Sequence, residues 1–337
     1  MEFVDFDAKC LHPELILTDS SMDNIEKLKS IDWKELVINS HAWIESKLVN
    51  HPCDTQAKIV SRIFTIPFSG VIQEHHHLVE SMADSIEHYV FDKEALKKMK
   101  TEGITPFRKA AQFFGDTNPV KDGKYGELLL YILSEAVLST PMVSHKITTL
   151  SNLNDQVKGG DGVFFGVYRD NLSILIGESK IYKNFSGALD SAFDSLDRFT
   201  KSYTSGALGH ELFMARTNIS NNFDFETMEL IYRAFTPGDD IYSECVKTHP
   251  ILLIFEDDEI KKIEDKAINK SEAEELFNIW LEQKKNHIKA DIDAKLIKYP
   301  NVKPCFLDFF LIPMTDVGEF KKSLYRAIHG IDYKDNK

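Results

Sequence analysis

The stretch from Gly159 to Lys183, GGDGVFFGVYRDNLSILIGESKIYK, constrains the fold more than any other part of the chain. Two apolar runs, 161–168 and 172–181, flank the short turn Arg169-Asp170-Asn171 and read as strands. A turn this short predicts an antiparallel hairpin, which brings Asp161 back alongside Glu178. Side chains alternate along a strand, so Glu178 and Lys180 share a face. Two carboxylates and an amine then meet at one end of strands otherwise built of Val, Phe, Ile and Leu. Ions buried without compensation are costly, and a divalent cation held by Asp161 and Glu178 resolves the cost. Mg²⁺ suits such a site, with Mn²⁺ as the alternative ion, because it takes one or two carboxylates together with waters and substrate phosphate. The chemistry that fits is phosphodiester hydrolysis. The metal activates water and polarises the phosphoryl oxygen, and Lys180 positions that water or offsets developing charge. Glycines 159, 160, 162 and 177 flank the site and would let the backbone come close to a phosphate.

The tripeptide alone says little. An identical Glu-Ser-Lys at Glu45–Lys47 lies in a helical pattern, HAWIESKLV, where residues two apart do not share a face. Only Glu178–Lys180 closes an apolar strand that follows an acid-opened one. The plainer alternative is a surface ion pair at a strand end.

Charge and cysteines narrow the function classes. The net charge of −13 works against free, non-specific nucleic-acid binding. It is unevenly spread: residues 101–210, which hold the hairpin, carry about −1, and the segments on either side about −6 each. If DNA is the substrate, a partner is expected to bring it. Cys10, Cys53, Cys245 and Cys305 are scattered, with no Cys-x-x-Cys pair for zinc and no disulfide framework. No apolar run is long enough to span a bilayer, and MEFVDFDAKC lacks the basic-then-apolar order of a signal peptide. A cytoplasmic protein with reduced thiols is the expectation.

Along the chain, residues 30–49 show helical spacing, AKIVSRIFTIPFSG reads as a strand, and 77–100 reads as one helix with a basic end. FFGDTNPVKDGKYG (113–126) is the best boundary signal. It divides an N-terminal α+β region (1–115), expected to contact a partner or regulate, from a core at 116–260, which is followed by C-terminal helices and a strand at 261–337. The core opens with an apolar helix, 126–139, and a strand, MVSHKITTL (142–150). After the hairpin come an amphipathic helix with Asp190, Asp194 and Asp197 on its polar face, two helical patches, and the buried strand HPILLIF. A charged helix at about 271–297, the strand CFLDFFLIP and a terminal helix complete the chain.

This order of elements resembles the PD-(D/E)xK nuclease core, α-β-β-β-α-β. The wording GELLLYILSEAVL, KGGDGVFFGVY and LSILIGESKIYKNFSGALDSAFDSL is similar, over roughly 120–205, to the HamA family, nuclease subunits of the Hachiman anti-phage defence system. The resemblance implies a restriction-endonuclease-like α/β fold with a mixed central sheet, and a Mg²⁺-dependent deoxyribonuclease. It also implies a HamB-like superfamily 2 DNA helicase as partner, holding cleavage in check. Carried over, Asp161 and Glu178 are metal ligands, Lys180 is the catalytic lysine, and Glu127 is a further catalytic and metal-linked acid. GGDG replaces the Pro-Asp form of the first motif. Glu127 also has a plainer role, since a carboxylate near a helix start stabilises the N-terminal dipole. Lys146, on the expected first strand, is a further basic residue that could approach the site, although an exposed strand lysine is the commoner case.

EHHHLVE (74–80) lacks zinc spacing and reads as a solvated turn or helix start. No Walker-type loop exists, so any ATP use belongs to another protein. Two rival readings remain: a non-catalytic regulatory or DNA-docking subunit on a nuclease fold, and a stand-alone restriction or repair nuclease. The intact Asp161, Glu178 and Lys180 set weighs against the first, and the acidic balance against the second.

Overall fold

The computed structural model describes residues 19–115, 117–145, 160–201 and 206–334. Its strands are β1 (Val49–Thr55), β2 (Ile59–Thr65), β3 (Phe68–Ser69), β4 (Ile72–Gln73), β5 (Gly162–Tyr168), β6 (Asn171–Tyr182), β7 (Val246–Glu256) and β8 (Phe306–Met314). Six of them form one mixed sheet in the order β1-β2-β8-β7-β6-β5, and β3 and β4 pair separately. The inner strands β2, β8, β7 and β6 run parallel, while β1 and β5 close the two edges antiparallel. The fold is α/β, as expected, with a mixed central sheet. That sheet takes strands from all three sequence segments: β1 and β2 from 1–115, β5 to β7 from 116–260, and β8 from 261–337.

The Lys124–Leu138 helix lies against one face of the sheet and is buried nearly all round, which is why its sequence shows almost no polar stripe. Ser139, left-handed at φ 57°, ends it two residues before Pro141. The Phe185–Thr200 helix covers the other face, with Leu189, Phe193 and Leu196 in the core. Its acidic stripe, exposed at Asp194 and part-exposed at Asp190 and Asp197, is bridged to the end of another helix. Asp190 pairs with Lys295, Asp194 accepts from Tyr299 at 2.6 Å, and Asp197 accepts from Asn301 at 3.2 Å. All three partners come from the end of the Lys270–Lys298 helix or the turn after it.

Three local expectations need correction. Residues 30–49 are not one helix but a 3₁₀ turn (Trp33–Glu35), a short helix (His41–Glu45) and the start of β1. The break has a cause: buried Glu135 takes the amides of Ile38 and Asn39 and the Asn39 side chain on one oxygen, at 3.1, 3.1 and 2.8 Å. Residues 77–100 form three helices (His76–Asp84, Ile86–Val90 and Lys93–Thr101), and the third starts where Asp92 caps the Ala95 amide at 2.7 Å. The expected strand at 142–150 reduces, among its described residues, to an isolated bridge between Met142 and Phe164. Val143 donates to the Val163 carbonyl at 2.8 Å, but His145 turns away to engage Tyr89. Residues 146–150 of that expected strand, including Lys146, lie outside the described residues.

A fully buried charge in the sheet must be matched. Asp308 on β8 is fully buried, paired with Arg62 of β2 and accepting the Tyr168 hydroxyl at 2.5 Å. Removing one partner of a buried pair strands the other. Arg62→Ala is expected to cost about 3 kcal/mol in a urea titration, with part of the loss recovered when Asp308→Asn is added. Equal stability of wild type and Arg62→Ala would refute the clamp.

Candidate functional site at the end of β6

The hairpin predicted from the sequence forms in the expected register. Arg169 and Asp170, at φ 49° and 64°, make the two-residue turn, and Gly162 pairs with Gly177. β6 then runs past the end of β5, so among the described residues Glu178 to Tyr182 pairs as a strand with β7 only. Asp161 occupies the place where β5 stops. Its amide donates to the Gly177 carbonyl at 3.0 Å, and its Oδ2 accepts from the Ser179 amide at 2.6 Å and the Ser179 hydroxyl at 2.7 Å. The carboxylate thus replaces the next rung of the ladder.

Alternation along β6 sorts the remaining residues. Ser179 and Ile181 face the Lys124–Leu138 helix, which approaches so closely that a Cβ on Gly126 would lie 3.0 Å from Ser179 Oγ. Glu178 and Lys180 face the opposite side, in register with Ile251 and Leu253 of β7. Glu178 is only 4% exposed and pairs with Lys180 through Oε1. Burial works against the Lys180 ammonium, but the charge and hydrogen bond of Glu178, helped by the charge of Asp161, hold its pKa above the ordinary 10.5. Asp161, Glu178 and Lys180 therefore share one strand end.

Glu127 approaches from the other face of the sheet. It sits in the first turn of the Lys124–Leu138 helix, where a carboxylate suits the dipole, and its Oε2 accepts the Tyr89 hydroxyl at 3.0 Å. Tyr89 is completely buried; burial first, then the charges of Glu127 and Asp161, push its pKa well up. Its carbonyl lies 3.3 Å from Nδ1 of buried His145, which contacts Asn222 at 3.1 Å through Nε2.

Four residues around the site carried no legible signal. Ser179 reads only as the spacer of Glu-x-Lys. Tyr89 and Glu211 look like ordinary helix residues, yet a Cβ at Gly160 would come within 3.8 Å of the buried Glu211 carboxylate. His249, enclosed in β7, lies 3.0 Å from the Ile176 carbonyl through Nδ1, and burial lowers its pKa to about 4. The glycines serve a different purpose from the one expected. A Cβ at Gly177 would strike Leu130 at 2.7 Å, and those at Gly160 and Gly162 would meet Ile176 and Phe164, so protein packing already claims this space. Gly159 lies outside the described residues.

The donor chemistry bears on metal binding. Among the described residues no three His, Cys, Asp or Glu side chains are grouped to hold a metal, so the site is no closed cage. Two carboxylates at a strand end are hard oxygen donors, and they fit a Mg²⁺-type ion that keeps several waters. The histidines at 75–77 begin a helix, with His75 near Ser323 at 3.2 Å and His76 near Glu80 at 3.0 Å. The copy at Glu45–Lys47 straddles a helix end, with Glu45 exposed beside His41.

With this geometry fixed, the comparison with known families is direct: the HamA family model matches residues 41–328. The chain belongs to the HamA family. Membership connects it to Hachiman anti-phage defence. The match spans the whole sheet, from β1 to β8, and the Glu127, Asp161, Glu178 and Lys180 positions. No curated protein matches the chain. Among the described residues no helix is long and apolar enough to cross a membrane.

The Glu178–Lys180 pair makes a pH prediction. Because the folded-state amine is raised, the pair's stabilisation is complete below 10.5 and is lost only as pH climbs through the folded pKa. Thermal melts of wild type and Lys180→Met should therefore differ by a constant gap from about pH 6 to 9, narrowing above the ordinary lysine range. A gap that closes near neutrality would contradict the assigned partner.

Proposed function

We propose that this HamA-family chain is a Mg²⁺-dependent deoxyribonuclease, the effector of a defence complex in which a superfamily 2 DNA helicase controls cleavage. The observation that carries the reading is the meeting of Asp161, Glu178 and Lys180 at the open end of β6. Family membership supports the defence role.

Asp161 and Glu178 are the residues that would hold the ion. Asp161 is oriented by two donors of Ser179, and Glu178 is enclosed by the sheet and the helix after it. A bound divalent ion supplies a more acidic water and charge neutralisation at the phosphoryl group. Lys180, kept protonated by its neighbour, donates rather than accepts protons. In this reading it hydrogen-bonds the attacking water or a phosphoryl oxygen, where charge grows in the transition state. Glu127 accepts the Tyr89 hydroxyl at 3.0 Å on the opposite face and in this reading is a further acid of the site. The acidic chain relies on its partner for DNA, and with no Walker-type loop of its own it relies on that partner for ATP as well.

Plasmid DNA incubated with the purified chain and the neighbouring helicase should be cut with Mg²⁺ and left intact in EDTA. Asp161→Ala, Glu178→Ala and Lys180→Ala should each lower the rate by about 100-fold or more. A Glu45→Ala/Lys47→Ala variant should cut like wild type. Cleavage that survives in EDTA or in Lys180→Ala would rule this chemistry out. The chain alone should bind duplex DNA weakly at physiological salt, as its charge requires. Tight binding by filter retention would show that it needs no partner to reach DNA.

A further inference from the structure

β7 is a central strand, hydrogen-bonded on both sides, yet it contains a proline at 250. The consequence falls on β6, beside the site. The Gly177 carbonyl and the Ser179 amide both point toward β5 and Asp161. The residues between and before them, Ile176 and Glu178, therefore address β7. In the constant β6–β7 register, from Ser173↔Val246 to Tyr182↔Phe255, Pro250 is the residue whose amide would reach the Ile176 carbonyl. Proline has no N–H. Ladder pairing accordingly lapses after Leu175↔Thr248 and resumes at Glu178↔Ile251. The stranded carbonyl is not left bare, because His249 Nδ1 lies 3.0 Å away. A carbonyl only accepts, so this imidazole carries its proton on Nδ1. The ring is 3% exposed and is set by the strand it belongs to.

We propose that His249 is a positioning residue: its ring N–H stands in for the backbone donor that Pro250 removes, and so fixes the Ile176–Gly177 peptide from which Glu178 and the Gly177–Asp161 bond are set. The arrangement gives the gap in the β6–β7 ladder a side-chain rung immediately before Glu178. Outer partners of this kind tune a metal site without touching the metal. The consequence for catalysis rests on the proposed nuclease reading, while the consequence for the β6 backbone does not.

Four proteins test this: wild type, His249→Phe, Pro250→Ala, and the double variant His249→Phe/Pro250→Ala, in which an alanine amide restores the missing donor. Hydrogen exchange of the 174–182 segment, Mn²⁺ affinity by calorimetry and Mg²⁺-dependent cleavage are read for each, beside thermal melts. His249→Phe should speed exchange across Gly177 to Lys180 and weaken Mn²⁺ binding by about tenfold or more. The double variant should restore both to near the Pro250→Ala values. If His249→Phe does not fold, a folded, protected double variant supports the proposal, and a double variant that also fails to fold overturns it. Unchanged exchange in His249→Phe, or no rescue by the alanine, overturns it as well. Should wild type neither bind Mn²⁺ nor cut DNA, the nuclease reading fails, and the exchange data still decide the role of His249.

Discussion

The seating of Asp161 on Ser179 governs the arrangement described above. At this point one strand of a hairpin ends and the other continues, and the unpaired amide of Ser179 must find an acceptor. The acceptor is a carboxylate, held by both the amide and the hydroxyl of the same residue. This one interaction ties Asp161 to the residue that follows Glu178 and holds the hairpin in register where β6 carries Glu178 and Lys180 past the end of β5. A one-residue slip would send Glu178 into the Lys124–Leu138 helix and bring Ser179 to the opposite face.

Burial explains why the charged groups stay together. Glu178 lies where Ile251 and Leu253 are its neighbours across the ladder, and Lys180 is the ion that compensates it. The same logic recurs at Asp308, matched by Arg62 and Tyr168, and at Glu135, matched by the amides of Ile38 and Asn39. The difference lies in position. Asp308 in the sheet and Glu135 on the Lys124–Leu138 helix are buried, whereas the Asp161–Glu178–Lys180 group sits at a strand end with part-exposed members. An enclosed pair stabilises structure, while a pair at a rim can exchange one partner for an ion or a phosphate.

The hairpin was legible because its signals are local: alternation, a short turn read as Arg169-Asp170-Asn171 and found to be Arg169-Asp170, and an acid at one end facing Glu-x-Lys at the other. The long helices at 124–138, 185–200 and 270–298 were legible for the same reason. What escaped is set by residues distant in the chain. The helical spacing of 30–49 is overridden by Glu135, which offers its amides a better acceptor than the helix would. The acid stripe of the Phe185–Thr200 helix gave no sign of its partners, because Lys295, Tyr299 and Asn301 lie far along the sequence. Glu127 was readable as a helix-start acid, but not the fact that Tyr89 would hold it on the far side of the sheet from Glu178. His249 gave no warning, since a histidine before a proline reads as the edge of a strand rather than as a rung within it.

The central claim is that Asp161 and Glu178 jointly hold a divalent ion at the end of β6. Anomalous diffraction from crystals soaked in Mn²⁺ tests it most directly. The account predicts a peak bounded by the two carboxylates, with Lys180 alongside and no protein ligand from the Glu45–Lys47 copy. A crystal saturated with Mn²⁺ that shows no density between Asp161 and Glu178, or shows it only at the His75–His77 helix start, would contradict it.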